Sequence, residues 1–254
     1  MVFDNKAVLV TGGSRAIGRA TAQAFLEAGA RVAINGRTEA SVAQAIEALG
    51  NHDRLAAAPG DVATAAGCEA AVGAALEALG GLDILVNSAG VYGRRPMAES
   101  DEAFWDSMID INVKGTYFCS RAALPALEEN GGGAIVNLAS IAGLEGYGGA
   151  TAYCTSKGAI VNLTRAMALE LAPGVRVNCV CPGVVDTDMA RDGLSEDGDL
   201  SAQAEWHPMK RVATAEEVAT AILYLASPAA GFVTGAALPI DGGATAGKAS
   251  SVRD

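Results

Sequence analysis

The chain has 254 residues, half of them apolar, enough to bury a sizeable core within one large α/β unit. A formal net charge of −11 argues against nucleic acid and anionic membrane surfaces as partners. No apolar run approaches the roughly 20 residues of a membrane span, and MVFDNKAVLVTGG lacks the basic region and long apolar stretch of a signal peptide, so a cytoplasmic location is expected.

The first apolar run, AVLV (7–10), leads into TGGSRAIG (11–18) and then the helically periodic RATAQAFLEAGA (19–30). Such a strand, glycine-rich turn and helix point backbone N–H groups at the positive end of the helix, a geometry that suits a pyrophosphate. The same layout also serves as a plain tight connection, so by itself it does not decide. The next strand, RVAIN (31–35), ends in Asn35 and Gly36, with no carboxylate where an NAD site bonds the ribose hydroxyls. Arg15 and Arg37 are instead the groups that would flank a 2′-phosphate, so NADP(H) is favoured, with NAD(H) the alternative.

Helix EASVAQAIEALG (39–50), strand RLAAA (54–58), helix CEAAVGAALEALG (68–80) and strand LDILVN (82–87) follow. Beyond them come strand GAIVNL (133–138), helix GAIVNLTRAMALEL (158–171) and strands VRVNCV (175–180) and AALPI (236–240). Near-continuous apolar strands between helices predict a parallel sheet with helices on both faces. Right-handed crossovers make it a doubly wound, Rossmann-type sheet of seven strands in the α/β class. No Pro/Ser-rich linker interrupts it, so residues 1–254 read as a single domain. The stretch 183–210 shows no clear periodicity and is expected to be a substrate lid or binding loop. The tail TAGKASSVRD (245–254) is expected to run beyond the last strand.

Cys68, Cys119, Cys154, Cys179 and Cys181 lack metal-ligand spacing and read as small buried hydrophobes. His52 and His207 have no partners nearby in sequence, so neither a metal site nor a Cys/His nucleophile is expected.

Tyr153 and Lys157, in YCTSK, lie one helical turn apart on one face. A tyrosine hydroxyl titrates near ~10, and a neighbouring ammonium favours the phenolate, making the pair a candidate acid/base. Ser140 follows the strand GAIVNL at its carboxyl end, where open parallel sheets bind ligands, and could hydrogen-bond a carbonyl oxygen there.

In this order the motifs resemble the short-chain dehydrogenase/reductase family, of the length of bacterial 3-oxoacyl reductases and sugar or steroid dehydrogenases. The likeness covers nearly the whole chain. TGGSRAIG resembles the family's TGxxxGxG loop through Gly12, Ser14, Arg15, Ile17 and Gly18, with Ala16 in place of a glycine. Asp61 and Val62 match its adenine-contacting pair. Asn87, Ala89 and Gly90 match its NNAG segment, with Ser88 replacing the second asparagine. Asn112 in DINVKG matches its helix asparagine, and Ser140, Tyr153 and Lys157 stand at its catalytic spacing. CPGVVDT (181–187) matches PGxxxT through Pro182, Gly183, Val185 and Thr187, and PIDGG (239–243) matches its last strand.

The resemblance implies hydride transfer between nicotinamide C4 and a carbonyl carbon. Tyr153 would be the acid in reduction and the base in oxidation, with Lys157 lowering its pKa and binding the nicotinamide ribose. Ser140 would orient the carbonyl or alcohol, and Asn112 would help hold a water between Lys157 and solvent. Thr187 would bond the carboxamide, while backbone around Val185 holds the nicotinamide end. Val91, Leu144, Tyr147, Val184, Met189, Leu194, Trp206 and Met209 would form a mostly apolar substrate wall, suited to a small hydrophobic ketone or alcohol. A carrier-protein thioester fits less well, because the chain is acidic and carries LEEN (127–130), although Arg94 and Arg95 offer a local basic patch. The alternatives are a 3-oxoacyl-carrier-protein reductase, a sugar or polyol dehydrogenase using NAD, and a non-catalytic nucleotide-sensing protein of the same fold. Relatives of this length imply a homotetramer, or else a dimer.

Overall fold

A computed structural model describes residues 2–195 and 197–247. Strands β1 (Ala7–Thr11), β2 (Arg31–Ile34), β3 (Leu55–Ala57), β4 (Ile84–Asn87), β5 (Gly133–Leu138), β6 (Val175–Pro182) and β7 (Ala237–Ile240) form one sheet. Their order is β3-β2-β1-β4-β5-β6-β7, and every pairing is parallel. The sequence expectation of a seven-stranded doubly wound sheet is met. The strand order reverses between β1 and β4, which pair in parallel, so a crevice opens above their carboxyl ends.

Alternate residues of each strand feed two cores. Val8, Val10, Val32 and Ile34 pack with Phe25 of α1 (Ala16–Glu27), Val42 of α2 (Glu39–Ala48), and Ile222 and Leu225 of α9 (Ala215–Ala226). Leu9, Leu85 and Ile135 face α3 (Ala65–Leu79), α5 (Gly115–Glu129) and α6 (Thr151–Leu171), meeting Val72, Leu127 and Met167. With Phe25 wholly buried, truncation to alanine there would cost about 3–5 kcal/mol. Threonines start three of these helices: Thr38, Thr64 and Thr214 each accept a hydrogen bond from a first-turn amide.

Two regions differ from the sequence reading. The stretch between β4 and β5 holds α4 (Glu102–Met108) and α5, joined by a π-helical turn over Ile109–Lys114. That wide turn, with Pro125 inside α5, breaks the 3.6-residue rhythm by which a helix is recognised. The 183–210 segment is also not without structure, carrying α7 (Asp188–Leu194) and α8 (Ser201–Ala204). Helices of one or two turns are too short to display a period. Glu196 and tail residues 248–254 lie outside the described residues. No described helix is long and apolar enough to cross a membrane.

Candidate active site

A cavity of about 850 Å³ occupies the crevice over the strand ends. The turn after β1 forms its floor. Gly12 takes φ +62°, and a Cβ there would stand 2.7 Å from Ala89 Cα, so the loop lies directly on the NSAG segment. At Gly18 a Cβ would come within 2.2 Å of the Gly12 carbonyl oxygen, so only glycine lets α1 start this close to the turn. Ala16, the departure from the loop pattern, is held at φ +47°, a left-handed conformation costing a residue with a Cβ about 1–2 kcal/mol.

Arg15 supplies no side-chain cap to α1, so the amides of its first turn stay open to an anion. Asn35 supports the floor: its Oδ1 accepts from Gly12 N (3.4 Å), and its Nδ2 donates to the carbonyls of Ala58 (2.9 Å) and Gly60 (3.0 Å). Sequence reading noted Asn35 only for not being an acid. A buried amide ending an apolar strand was the available signal of this role. Thr11 Oγ1 accepts from the amides of Ser88 (3.1 Å) and Ala89 (3.2 Å), so the NSAG turn is held through its backbone despite the exchange at 88.

Of the residues expected at the cofactor, Ser14, Arg15, Ile17 and Arg37 line the outer end of the cavity, and Asp61 and Val62 one side. Ala89, Gly90, Pro182, Gly183, Val185 and Thr187 line the same cavity as the catalytic candidates. Asn87 is the exception. It is buried below the floor, with Nδ2 donating to Ser120 Oγ (2.9 Å) and Asn137 Oδ1 (2.9 Å), and it supports the site without reaching the cavity. Thr187 Oγ1 caps α7 by accepting from Ala190 N (3.3 Å). The open floor, the uncapped helix start and a cavity of about 850 Å³ fit a dinucleotide.

Ser140, Tyr153 and Lys157 come together at the inner end. Lys157 is almost fully buried on α6, and its Nζ donates to the Leu138 carbonyl at 2.8 Å. Burial brings its pKa down to about 8. Burial also pushes the Tyr153 phenol up to about 12, while Ser140, facing the hydroxyl, pulls the other way. The expectation that Lys157 lowers this pKa is not met in this arrangement. The ammonium sits 5.7 Å from the Tyr153 ring centroid and spends a proton on the strand carbonyl. Asn112 does not line the cavity either. Its Oδ1 accepts from Val91 N (2.8 Å), and its Nδ2 donates to Val91 O (3.1 Å) and Ser156 Oγ (3.0 Å).

Of the residues expected to form the substrate wall, Val91, Tyr147, Val184, Met189, Leu194 and Trp206 line the same cavity. Leu144 and Met209 do not: Leu144 is exposed on the turn after Ser140, and Met209 faces a separate hollow beside His207. Tyr92 and Arg94 were missed as wall residues and line it too. The Tyr92 ring meets the Tyr153 ring edge-on, with centroids 4.8 Å apart. His207, read as lacking partners nearby in sequence, has one four residues back. Its Nδ1 lies 2.9 Å from the Gln203 carbonyl, and its Nε2 accepts from Val184 N at 3.2 Å, tying α8 to the turn after β6.

A family profile described as enoyl-(acyl carrier protein) reductase matches residues 12–245. The chain is 42% identical to 2-(S)-hydroxypropyl-CoM dehydrogenase 3 of Xanthobacter autotrophicus, covering 95% of this chain and 97% of that one. It is 38% identical to the 3-oxoacyl-(acyl-carrier-protein) reductase of Chlamydia muridarum, over 94% and 97% of the two chains. A solved short-chain dehydrogenase/reductase of Brucella melitensis, titled a glucose/ribitol dehydrogenase, superposes with a TM-score of 0.89 at 37% identity, over 96% and 98% of the chains. The chain belongs to the short-chain dehydrogenase/reductase family and is an oxidoreductase that uses a nicotinamide cofactor.

Proposed function

We propose that this enzyme interconverts a ketone or aldehyde and an alcohol with NADP(H), Tyr153 acting as general acid and base. The observation that carries the reading is one cavity with Ser140, Tyr153 and Lys157 at its inner end and Arg15 and Arg37 at its outer end. The relatives named for hydroxypropyl and 3-oxoacyl groups both work at an alcohol or ketone carbon, in agreement with it.

Bound along the cavity, NADP(H) would supply or accept the hydride. The amides of the α1 start would hold the pyrophosphate, and the Arg15 and Arg37 guanidiniums would take the 2′-phosphate. Lys157 would bind the nicotinamide ribose hydroxyls, and Thr187 and backbone around Val185 would hold the carboxamide end. Ser140 Oγ donates to the substrate oxygen and fixes the carbonyl against Tyr153. In reduction Tyr153 Oη passes its proton to that oxygen as the alcohol forms; in oxidation the phenolate takes it back. A phenol held well above its ordinary pKa stays protonated at neutral pH, which favours reduction there.

Carrier-protein thioesters fit less well. Arg95, half of the basic patch seen in sequence, is paired with Asp101 at 3.1 Å and stacked on Phe104. Exposed Tyr117 on α5, Leu169 on α6 and Phe232 ahead of β7 support assembly as a homotetramer.

The test is Tyr153→Phe. NADPH-dependent ketone reduction is expected to fall by about 10²–10⁴-fold while NADPH binding persists. A variant as active as the parent would overturn the mechanism.

A further inference from the structure

The catalytic end of the cavity holds a cation that cofactor binding leaves unused. Among the described residues, Arg15, Arg37, Lys157 and Arg94 line the cavity against a single carboxylate, Asp61. On the reading above, the first two meet the 2′-phosphate and Lys157 the ribose. Arg94 belongs to the substrate end, two residues past Tyr92, whose ring packs on Tyr153.

The arm that carries Arg94 is fixed at both ends. Asn112 grips Val91 through both of its backbone groups, and Arg95 N donates to the Gly149 carbonyl at 2.7 Å. Gly193 of α7 leaves room for the Tyr92 ring, since a Cβ there would stand 2.7 Å from it. Arg94 Nη2 donates to the Gly148 carbonyl (3.2 Å), which aligns the guanidinium on the loop that closes this end. Among the described residues Arg94 has no carboxylate partner, whereas Arg95 has Asp101. Glu145, the acid on the Gly148 loop, accepts from Tyr147 Oη at 2.5 Å and does not line the cavity. The remaining wall, from Tyr147, Met189, Leu194 and Trp206, is aromatic and aliphatic.

We propose that the substrate carries an anionic group, a carboxylate, sulfonate or phosphate, which Arg94 receives while the apolar wall covers the chain joining it to the carbonyl. The inference rests on the reading of Ser140, Tyr153 and Lys157 as the carbonyl site. A guanidinium matches such an anion with two parallel donors. Arg94 is itself solvent-exposed, yet at contact distance its charge outweighs the distributed, salt-screened negative charge of the surface.

The experiment compares methyl ketones of the form CH3–CO–(CH2)n–X, with X a carboxylate, a sulfonate or the neutral methyl ester. With NADPH, the anion is expected to exceed its ester in kcat/KM by about tenfold or more, the worth of one charge-assisted hydrogen bond. Arg94→Met brings that ratio to about one, and Arg94→Lys restores part of it. A ratio near one in the parent enzyme, or one unmoved by Arg94→Met, overturns the inference. Binding is followed separately in a Trp105→Phe background, where Trp206 is the remaining tryptophan. Saturable quenching by the hydroxy-acid product that Arg94→Met abolishes supports the anion site even if no ketone is turned over, an outcome that would sink the carbonyl reading alone.

Discussion

Asn112 pairs with Val91 as a neighbouring strand would, accepting from its N–H at 2.8 Å and donating to its carbonyl at 3.1 Å. The same amide donates to Ser156 Oγ, which itself donates to the Tyr153 carbonyl at 2.8 Å. One fully buried side chain therefore fixes the arm bearing Tyr92 and Arg94 against the first turn of the catalytic helix. Asn112→Ala leaves both backbone groups of Val91 without these partners, and unfolding free energy should fall by about 2–4 kcal/mol. Urea denaturation checks the stability. Steady-state kinetics should show a lower kcat together with a higher KM, since both the acid and the substrate wall shift.

The two titrating groups give the reaction opposite pH profiles in its two directions. Tyr153 is raised to about 12 by burial, so the proton donor for reduction is present through neutral and mildly alkaline pH. Oxidation needs the phenolate, whose fraction grows about tenfold per pH unit below that pKa. Alcohol oxidation should climb steadily from pH 6 to 10 while ketone reduction does not. Lys157, lowered to about 8, is charged below that pH and loses its proton above it. NADPH binding should therefore weaken as pH rises through about 8, and Lys157→Met should flatten that dependence. Fluorescence titrations across the range measure it; a profile identical in parent and variant would remove Lys157 from cofactor binding.

The central strands were legible because they are buried on both sides, so Val8 to Val10 or Ile84 to Val86 read as unbroken apolar runs. The candidate acid/base pair was legible because Tyr153 and Lys157 sit on one helix and their spacing survives in the sequence. Tyr92, Arg94 and Asn35 were not, since their roles arise from pairing with residues 23 to 61 positions away, as in Asn35 with Ala58 and Tyr92 with Tyr153. Family spacing placed Asn87 and Asn112 in the neighbourhood of the cavity. It could not say that Asn87 Nδ2 and the Asn112 amide are engaged in buried bonds to neighbouring elements.

Ala16 holds a conformation that glycine adopts without strain. Ala16→Gly relieves about 1–2 kcal/mol of left-handed strain and gives back part of it, about 0.4–1 kcal/mol, through a more flexible unfolded chain. The net should be stabilising, with Tm up by about 1–3 °C for a chain of this size. Ala16→Val, branched at Cβ, should lower Tm. Differential scanning fluorimetry of both variants separates this from a neutral position, at which neither would move.

On the proposed reading, the choice of cofactor turns on two exposed arginines that line the cavity. Arg15 lies in extended backbone just before α1, and Arg37 follows β2 directly after the buried Gly36. Both line the cavity beside Ser14 and Ser41. The carboxylate on the wall, Asp61, also accepts from Ala63 N at 3.1 Å. A 2′-phosphate there meets two guanidiniums, whereas a bare ribose hydroxyl at the strand end meets no acid. Arg15→Ala and Arg37→Ala should each lower kcat/KM for NADPH by about tenfold to a hundredfold, one charge-assisted contact apiece, with little effect on NADH. Arg37→Asp should go further, repelling the phosphate and offering the hydroxyls an acceptor, so that NADH becomes the better substrate. Kinetics with both cofactors decide it: an unchanged NADPH-to-NADH ratio in all three variants would mean that neither arginine reads the phosphate.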